Sequence, residues 1–293
     1  MQTPAAVLPT SQRVNRMKIP ADRRRSARCL VAVVLWCCLF TGTLQAAVTA
    51  CPEHFAGGEA PDLIRTEPQA AYQELCLSGF AVMHSGKTRT AVYVAHQLTG
   101  KQPGQPKPLR RSSSFYAEAR LPAEDRAELH HYAGSGYDRG HLAPAADMPD
   151  EQSRYESFSL ANVVPQVPSH NRGVWAQLEK RVRKLAETHG QLYIITGPVF
   201  GSKQQLLGGA VTVPTSLFKV LYTPESGASA FVADNRADAE VIQIDLQQLE
   251  EITGIRFFPH NSNSSVLPDQ TWDIIWGGYD ATVITHDVFS TGR

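Results

Sequence analysis

The order of apolar segments along the chain is the feature that most constrains its fold. Apolar residues recur with helical spacing most clearly from Arg172 to Glu187, and shorter helices are predicted at 245–253 and, more weakly, at 122–131. Seven other segments have the alternating or continuous apolar pattern of β-strands: 77–85, 89–98, 192–196, 210–213, 217–222, 229–233 and 240–244. Because strands and helices are interleaved without regular βαβ units, the sequence predicts a mixed α+β domain.

The first fifty residues differ from the rest in charge and hydropathy. The chain has 28 Lys+Arg and 28 Asp+Glu, but residues 1–50 carry about +6 and residues 51–293 about −6. A basic segment, an uncharged run from Cys29 to Phe40 and small residues up to Ala50 follow one another in the order of a secretory signal. We therefore expect a signal peptide at 1–50, with a start extension before Met17, and a periplasmic or secreted body without stable membrane association.

The limits of this signal stay open. Cleavage after Ala50 or after Ala46 would suit the small-residue pattern. The apolar run of about 16 residues is short for a membrane span, and an uncleaved anchor is the simplest alternative. A loose lipoprotein box at 48–51 is a second one.

The cysteines agree with export. Three of the five lie inside the predicted signal, and Cys51 and Cys76 are left in the body. An even pair in an exported domain predicts a disulfide bond, the alternative being two buried thiols.

The densest chemical motif is Asp138-Arg139-Gly140-His141. Asn162 and Gln166 follow 24 and 28 residues after Asp138. Asn171 lies just before the predicted long helix, and Glu179 lies eight residues beyond Asn171. Taken singly, such residues have ordinary structural explanations, such as a satisfied histidine or a helix N-cap.

Together these residues resemble the DNA/RNA non-specific endonucleases with a ββα-metal, or His-Me finger, site, the family of the secreted Serratia-type nuclease and of mitochondrial endonuclease G. The resemblance covers roughly 51–260, and it implies one nuclease domain at 51–293 with a central, mostly antiparallel sheet flanked by helices. The tail at 261–293 is left unassigned. Further segments that resemble the family are Cys51-Pro52, Leu75–Val82, Thr196–Phe200, Val213–Val220 and Thr253–Pro259.

The resemblance implies a role for three of the motif residues. His141 would be the general base, and an imidazole whose ordinary pKa is near 6.5 suits that task at neutral pH. Asn171 would be the one direct protein ligand of Mg²⁺, or of Mn²⁺, because such an ion keeps several waters and also takes phosphate oxygen. Glu179 would contact a water of the metal.

Arginines are expected to hold the phosphate. Arg111, ahead of the aromatic Phe115, matches the family best, with Arg110 as the alternative register. The acidic-proline element that the family places next is replaced here by Tyr116–Ala119, which leaves the register of this loop open. Arg139 either faces substrate or forms a structural salt bridge. Asp138, Asn162 and Gln166 are expected to support the site.

These expectations combine into an exported Mg²⁺-dependent endonuclease that cuts DNA and RNA with little sequence preference. Two alternatives stay open: a catalytically silent nucleic-acid-binding protein of the same fold and a phosphodiesterase of small nucleotides. A homodimer is also left open. Because the body is acidic, binding to polyanions would need local positive charge, and the basic segments at 101–111 and 172–184 predict a cationic groove.

Overall fold

The computed structural model describes residues 49–100 and 114–259. The predicted signal up to residue 48, the loop at 101–113 with Arg110 and Arg111, and the tail from residue 260 lie outside the described residues. No helix within the two described ranges is long and apolar enough to cross a membrane.

Short strands dominate the described part of the chain. In chain order they are β1 (Asp62–Leu63), β2 (Tyr72–Cys76), β3 (Ala81–Ser85), β4 (Thr90–Thr99), β5 (Asp138–His141), β6 (Val163–Gln166), β7 (Gln191–Val199), β8 (Gln205–Leu207), β9 (Val211–Val213), β10 (Ser216–Thr223), β11 (Gly227–Asp234), β12 (Val241–Ile244) and β13 (Ile255–Arg256). The helices are α1 (Leu129–Tyr132), α2 (Glu151–Glu156), α3 (Pro168–His170), α4 (Ala176–His189) and α5 (Leu246–Thr253).

Seven strands form one antiparallel sheet in the order β12-β11-β10-β7-β4-β3-β2. Three two-stranded ladders lie outside it: β1 with β13, β5 with β6, and β8 with β9. Each predicted strand segment contains a strand, and the α+β class with a central antiparallel sheet is confirmed. The weakly helical segment at 122–131 is helical only in α1, where Glu128 and His131 form a capping box.

The two faces of the large sheet bury separate apolar clusters. One face packs against α4, whose Leu178, Val182 and Leu185 form the apolar stripe that the sequence predicted. The other face packs against α5 and the chain that follows it, through residues such as Leu249 and Phe257. The long helix thus lies on one side of the sheet, and the β5–β6 hairpin leads into it.

The predicted disulfide is present between Cys51 and Cys76. It joins the start of the body to the last residue of β2. Just before it, the hydroxyl of Thr49 donates to the carboxylate of Glu74 at 2.7 Å. The beginning of the body is therefore attached to the edge of the sheet.

Candidate active site

The β5–β6 hairpin positions His141 at the end of a strand. His141 is opposite Val163, and Gly140 is opposite Val164. Gly140 also lies against the side chain of Gln166, because a Cβ built at this position would fall 1.9 Å from Gln166 Oε1. A glycine is therefore required before His141 for the hairpin to close on Gln166.

The imidazole of His141 lies between two phenyl rings. Its centroid is 5.2 Å from that of Phe115 and 5.0 Å from that of Phe158. Nε2 is buried and has no hydrogen-bond partner among the described residues. This desolvation lowers the pKa of His141 from 6.5 to about 4. The ring is thus neutral at physiological pH.

Arg139 lies on aromatic rings close to His141. Its guanidinium carbon is 5.4 Å from the centroid of Phe115 and 5.6 Å from that of Tyr132, distances typical of cation–π contacts. None of the carboxylates of the described residues forms an ion pair with Arg139. Its positive charge is not neutralised by a carboxylate there.

Asn171 begins an irregular turn between α3 and α4. Residues Asn171–Trp175 form a π-helical turn, in which Gly173 departs from helical geometry with φ −103° and ψ −107°. The predicted helix from Arg172 to Glu187 therefore begins later, as α4 at Ala176. π-Turns inside helices are frequent at functional sites because they turn side chains away from the regular register.

Asp138 connects this turn to the hairpin. Its Oδ2 accepts a hydrogen bond from Asn171 Nδ2 at 2.9 Å, and both of its oxygens accept bonds from Arg172. Burial alone would favour the neutral carboxyl, but the hydrogen bonds from Arg172 and Asn171 lower the pKa of Asp138. The charged Asp138 thus holds the amide of Asn171 in place.

This contact fixes which atom of Asn171 is available to a metal. The amide nitrogen is taken by Asp138, and no described residue donates to the amide oxygen. A neutral oxygen of this kind fits a hard cation such as Mg²⁺, which retains water and binds few protein ligands. Among the described residues, the only cluster of three His, Cys, Asp or Glu ligands is Cys51, Glu74 and Cys76, where the two cysteines are joined in the disulfide.

Glu179 is half-buried on α4, facing a group of buried charges. Burial raises the pKa of Glu179 to about 7, and the positive charges of Lys219 and Arg183 oppose that rise. Arg183 donates to Asp147 Oδ1 at 2.8 Å, and His96 Nε2 lies 3.2 Å from Asp147 Oδ2. A glutamate that would ordinarily be solvated is therefore electrostatically coupled to the core.

Asn162 and Gln166 support the hairpin from inside. The amide of Asn162 accepts from the backbone N–H of Ala143 and donates to the carbonyls of Ala143 and Ser157, each at 2.9 Å. Both residues are fully buried. The side chain of Gln166 lies 2.6 Å from His170 Nδ1, next to Asn171. The described contacts of Asn162 are with backbone groups.

Part of the predicted cationic surface can be located. Arg111 and its alternative Arg110 lie outside the described residues, as does the whole 101–111 segment. In the 172–184 segment, Arg172 is paired with Asp138 and Arg183 with Asp147. The positive charge of this second segment is therefore smaller than its composition predicts.

Sequence reasoning assigned no role to Lys219, Asp147 or His96, and it counted Arg183 only as part of the basic segment at 172–184. A signal for Lys219 was present, since it stands between Leu217 and Leu221 at an inward position of a buried strand. Arg183 lies one helical turn beyond Glu179. No sequence pattern indicates the contact between Asp147 and His96, because the fold brings these two residues together.

Comparisons with known proteins agree with this geometry. The profile of the DNA/RNA non-specific endonuclease family matches residues 62–264. A nuclease of Nostoc sp. is 34% identical over 201 residues, covering 62% of this chain and 72% of its own length. Mitochondrial endonuclease G of Bos taurus is 32% identical over 241 residues, covering 73% of this chain and 79% of its own length.

A solved structure shares the fold. The structure of an EndoG/EndoGI complex matches with a TM-score of 0.60 and 23% sequence identity, over 70% of this chain and 93% of the matched one. The sheet, the hairpin and the following helix thus form the His-Me finger arrangement that the sequence predicted. The chain belongs to the DNA/RNA non-specific endonuclease family.

Proposed function

We propose that the protein is an exported, metal-dependent endonuclease that hydrolyses phosphodiester bonds of DNA and RNA with little sequence preference. Family membership supports the nuclease activity. One observation carries the assignment of the site: strand β5 bears both His141 and Asp138, and Asp138 holds Asn171 by a 2.9 Å hydrogen bond. The proposed base and the proposed metal-binding oxygen thus belong to one hairpin-and-helix unit.

His141 is the general base of this proposal. Its Nε2 points into the protein, which leaves Nδ1 to accept the proton of the attacking water. The water oxygen bonds to phosphorus as the bond to the 3′ oxygen breaks, giving 5′-phosphate and 3′-hydroxyl ends. Because the pKa of His141 is about 4, the acceptor nitrogen is free of a proton at any pH above about 5.

Asn171 is the metal ligand of this proposal. Its amide oxygen, left open by the contact between Nδ2 and Asp138, is the group that would hold Mg²⁺. When bound, the ion would supply Lewis-acid stabilisation of the charge at phosphorus and at the departing oxygen. Mn²⁺, which also prefers oxygen ligands, would serve in the same place.

Arg139, Arg111 and Glu179 complete the proposed site. Arg139 offers the phosphate a positive charge that no described carboxylate neutralises, with its orientation fixed by Phe115 and Tyr132. Arg111, ahead of Phe115 in sequence, is the second phosphate-binding arginine of the proposal. Glu179 in its ionised form would accept hydrogen bonds from water at the site and orient it.

Export rests on the signal-like order of residues 1–50 and is supported by the disulfide between Cys51 and Cys76, since such bonds persist in oxidising compartments. N-terminal sequencing of the protein recovered from the periplasm or medium would locate the cleavage site. A protein found only in the cytoplasm with an intact leader would contradict export.

The nuclease function is tested with purified protein on plasmid DNA and on RNA, with Mg²⁺, with Mn²⁺ and with EDTA. Cleavage of both polymers in the presence of metal and its loss in EDTA are expected. Absence of cleavage with any divalent metal, together with salt-sensitive binding, would indicate the silent nucleic-acid-binding protein instead. Hydrolysis of a dinucleotide as fast as of a long duplex would indicate the phosphodiesterase of small nucleotides.

A further inference from the structure

A lysine is buried behind the candidate site. Lys219 is 1% exposed, and it lies in the middle of β10 between Leu217 and Leu221, both of which face α4. A lysine in such a position is rare because removing an ammonium group from water is costly unless charges and hydrogen bonds compensate. The groups around Lys219 must therefore compensate the cost of burying its ammonium group.

The sheet provides a polar strip around this lysine. Thr196 is the cross-strand partner of Lys219, and its hydroxyl accepts a hydrogen bond from Lys219 Nζ at 2.7 Å. Val94 of β4 is the cross-strand partner of Thr196 on its other side. His96 lies two residues beyond Val94 and therefore on the same face of the sheet. All three side chains are buried, in a face that is mostly apolar.

The residues above this strip compensate the positive charge. Lys219 Nζ is 5.3 Å from the ring centroid of Trp175, a residue of the π-turn that begins at Asn171. Glu179 lies one helical turn beyond Trp175. Burial lowers the pKa of Lys219, and the charges of Glu179 and Asp147 oppose this shift by favouring the ammonium form. The ring face and the two carboxylates therefore oppose the loss of this charge on burial.

The two positive charges and the two carboxylates in this region can be paired. Arg183 pairs with Asp147, and the pKa of His96 is lowered by its burial, which keeps that imidazole neutral at physiological pH. Asp147 is thus already compensated by Arg183 and by a hydrogen bond with His96. Glu179 is left as the carboxylate that Lys219 compensates.

We propose that Lys219 is a positioning residue of the nuclease site, a buried positive charge that favours the ionised form of Glu179. This inference rests on the proposed function. Lys219 acts only through Glu179, since its ammonium is held by Thr196 and Trp175 on the inner side of α4. Without that charge, Glu179 would take up a proton and could no longer accept hydrogen bonds from water with both of its oxygens.

The first test does not depend on nuclease activity. The carboxyl carbon of Glu179 is titrated by ¹³C NMR in metal-free wild-type protein, in Lys219→Met and in Lys87→Met, a control at an exposed lysine elsewhere. We expect the midpoint for Glu179 to rise by about one pH unit or more in Lys219→Met and to be unchanged in the control. An unchanged midpoint in Lys219→Met would overturn the proposal.

A second test separates positioning from a purely structural role. We expect Lys219→Met to lower kcat/KM about tenfold at pH 7, with recovery toward the wild-type value at pH 9, where Glu179 is again ionised. In the Glu179→Gln background the same substitution should change kcat/KM less than about twofold. An equal loss in both backgrounds, with no recovery at pH 9, would show that Lys219 serves only the fold.

If Lys219→Met does not fold, Thr196→Val takes its place. This nearly isosteric change removes the hydrogen bond to Lys219 and keeps both charges. We expect a smaller upward shift of the Glu179 midpoint, and no shift would contradict the proposal. If the wild-type protein cuts neither DNA nor RNA, the proposed function fails, whereas the NMR titration still reports on the coupling between Lys219 and Glu179.

Discussion

The surroundings of His141 and of Glu179 show how one physical effect is used in two ways. Burial lowers the pKa of His141 to about 4 and raises that of Glu179 to about 7. In both residues it favours the neutral form. A general base must be neutral, so two phenyl rings suffice around His141. A carboxylate that orients water must be charged, and the positive charges of Lys219 and Arg183 near Glu179 favour that form.

The largest effect should come from removing the base. His141→Ala is expected to lower kcat/KM by about 10²–10⁴-fold, because no other described group can replace the imidazole. The measurement is plasmid and RNA cleavage at saturating metal, with His130→Ala as the control at an exposed histidine. Full activity of His141→Ala would overturn the assignment of the base.

A smaller loss should follow from releasing Asn171. Asp138→Ala removes the acceptor that holds the Asn171 amide and the partner of Arg172. We expect metal affinity, measured by calorimetry, to fall about 10- to 100-fold, with the loss of activity partly restored by excess Mg²⁺. Asp238→Ala, which breaks a surface ion pair with Arg236, is the control. Equal metal affinity in Asp138→Ala and wild type would contradict this role.

The pH dependence distinguishes the two residues. We expect kcat/KM to fall about tenfold per pH unit below pH 7, because Glu179 is protonated there. The fall therefore begins well above pH 4, near which His141 is protonated. Glu179→Gln should lower activity and remove this acid limb, whereas Glu187→Gln, an exposed change on the same helix, should retain it. A profile that stays flat down to pH 5 would contradict the role of Glu179.

Stability should show the opposite dependence on pH. The folded-state pKa of Glu179 is raised above the ordinary value of 4.5, so folding takes up protons between these two values. The stability that this proton uptake contributes is fully present below pH 4.5 and is lost as the pH rises through 7. Urea unfolding of wild type and Glu179→Gln across this window measures the difference, and parallel curves would contradict it.

The smallest effect should come from removing one of the two phenyl rings that contact the His141 imidazole. Phe158→Leu removes one ring from the imidazole, so its pKa should rise by about one unit toward 6.5. Imidazole NMR titration measures this, and activity at pH 8 should change only a few-fold. Phe257→Leu, on the opposite face of the sheet, is the control that reduces packing without touching His141. An unchanged pKa in Phe158→Leu would show that Phe158 does not desolvate the ring.

The sequence predicted those parts of the molecule that depend on local patterns. The alternation of the strands, the apolar stripe of α4 and the cysteine count led to the sheet, the helix and the disulfide. The motif from Asp138 to His141 led to the family. In each case neighbouring residues, or residues at a fixed spacing, carry the information.

The remaining features could not be predicted from the sequence, because they depend on contacts that only the folded chain makes. The helix was predicted from Arg172, but Gly173 allows a π-turn that delays it to Ala176, and periodicity does not reveal such a turn. The ionisation of Glu179 depends on the charge of Lys219, forty residues away in sequence, and the neutral state of His141 depends on two phenylalanines outside its motif. Long-range electrostatics of this kind has no signature in one segment of chain.

The contact between Gly140 and Gln166 has a consequence for how this nuclease can change over time. A Cβ at position 140 would occupy the place of the Gln166 amide, so the two positions share one volume. Gln166 in turn reaches His170 beside Asn171. A larger residue at 140 is therefore tolerated only together with a smaller one at 166, and such a pair would also alter the support of the metal ligand. Mutational libraries that vary the two positions independently will consist mostly of inactive combinations.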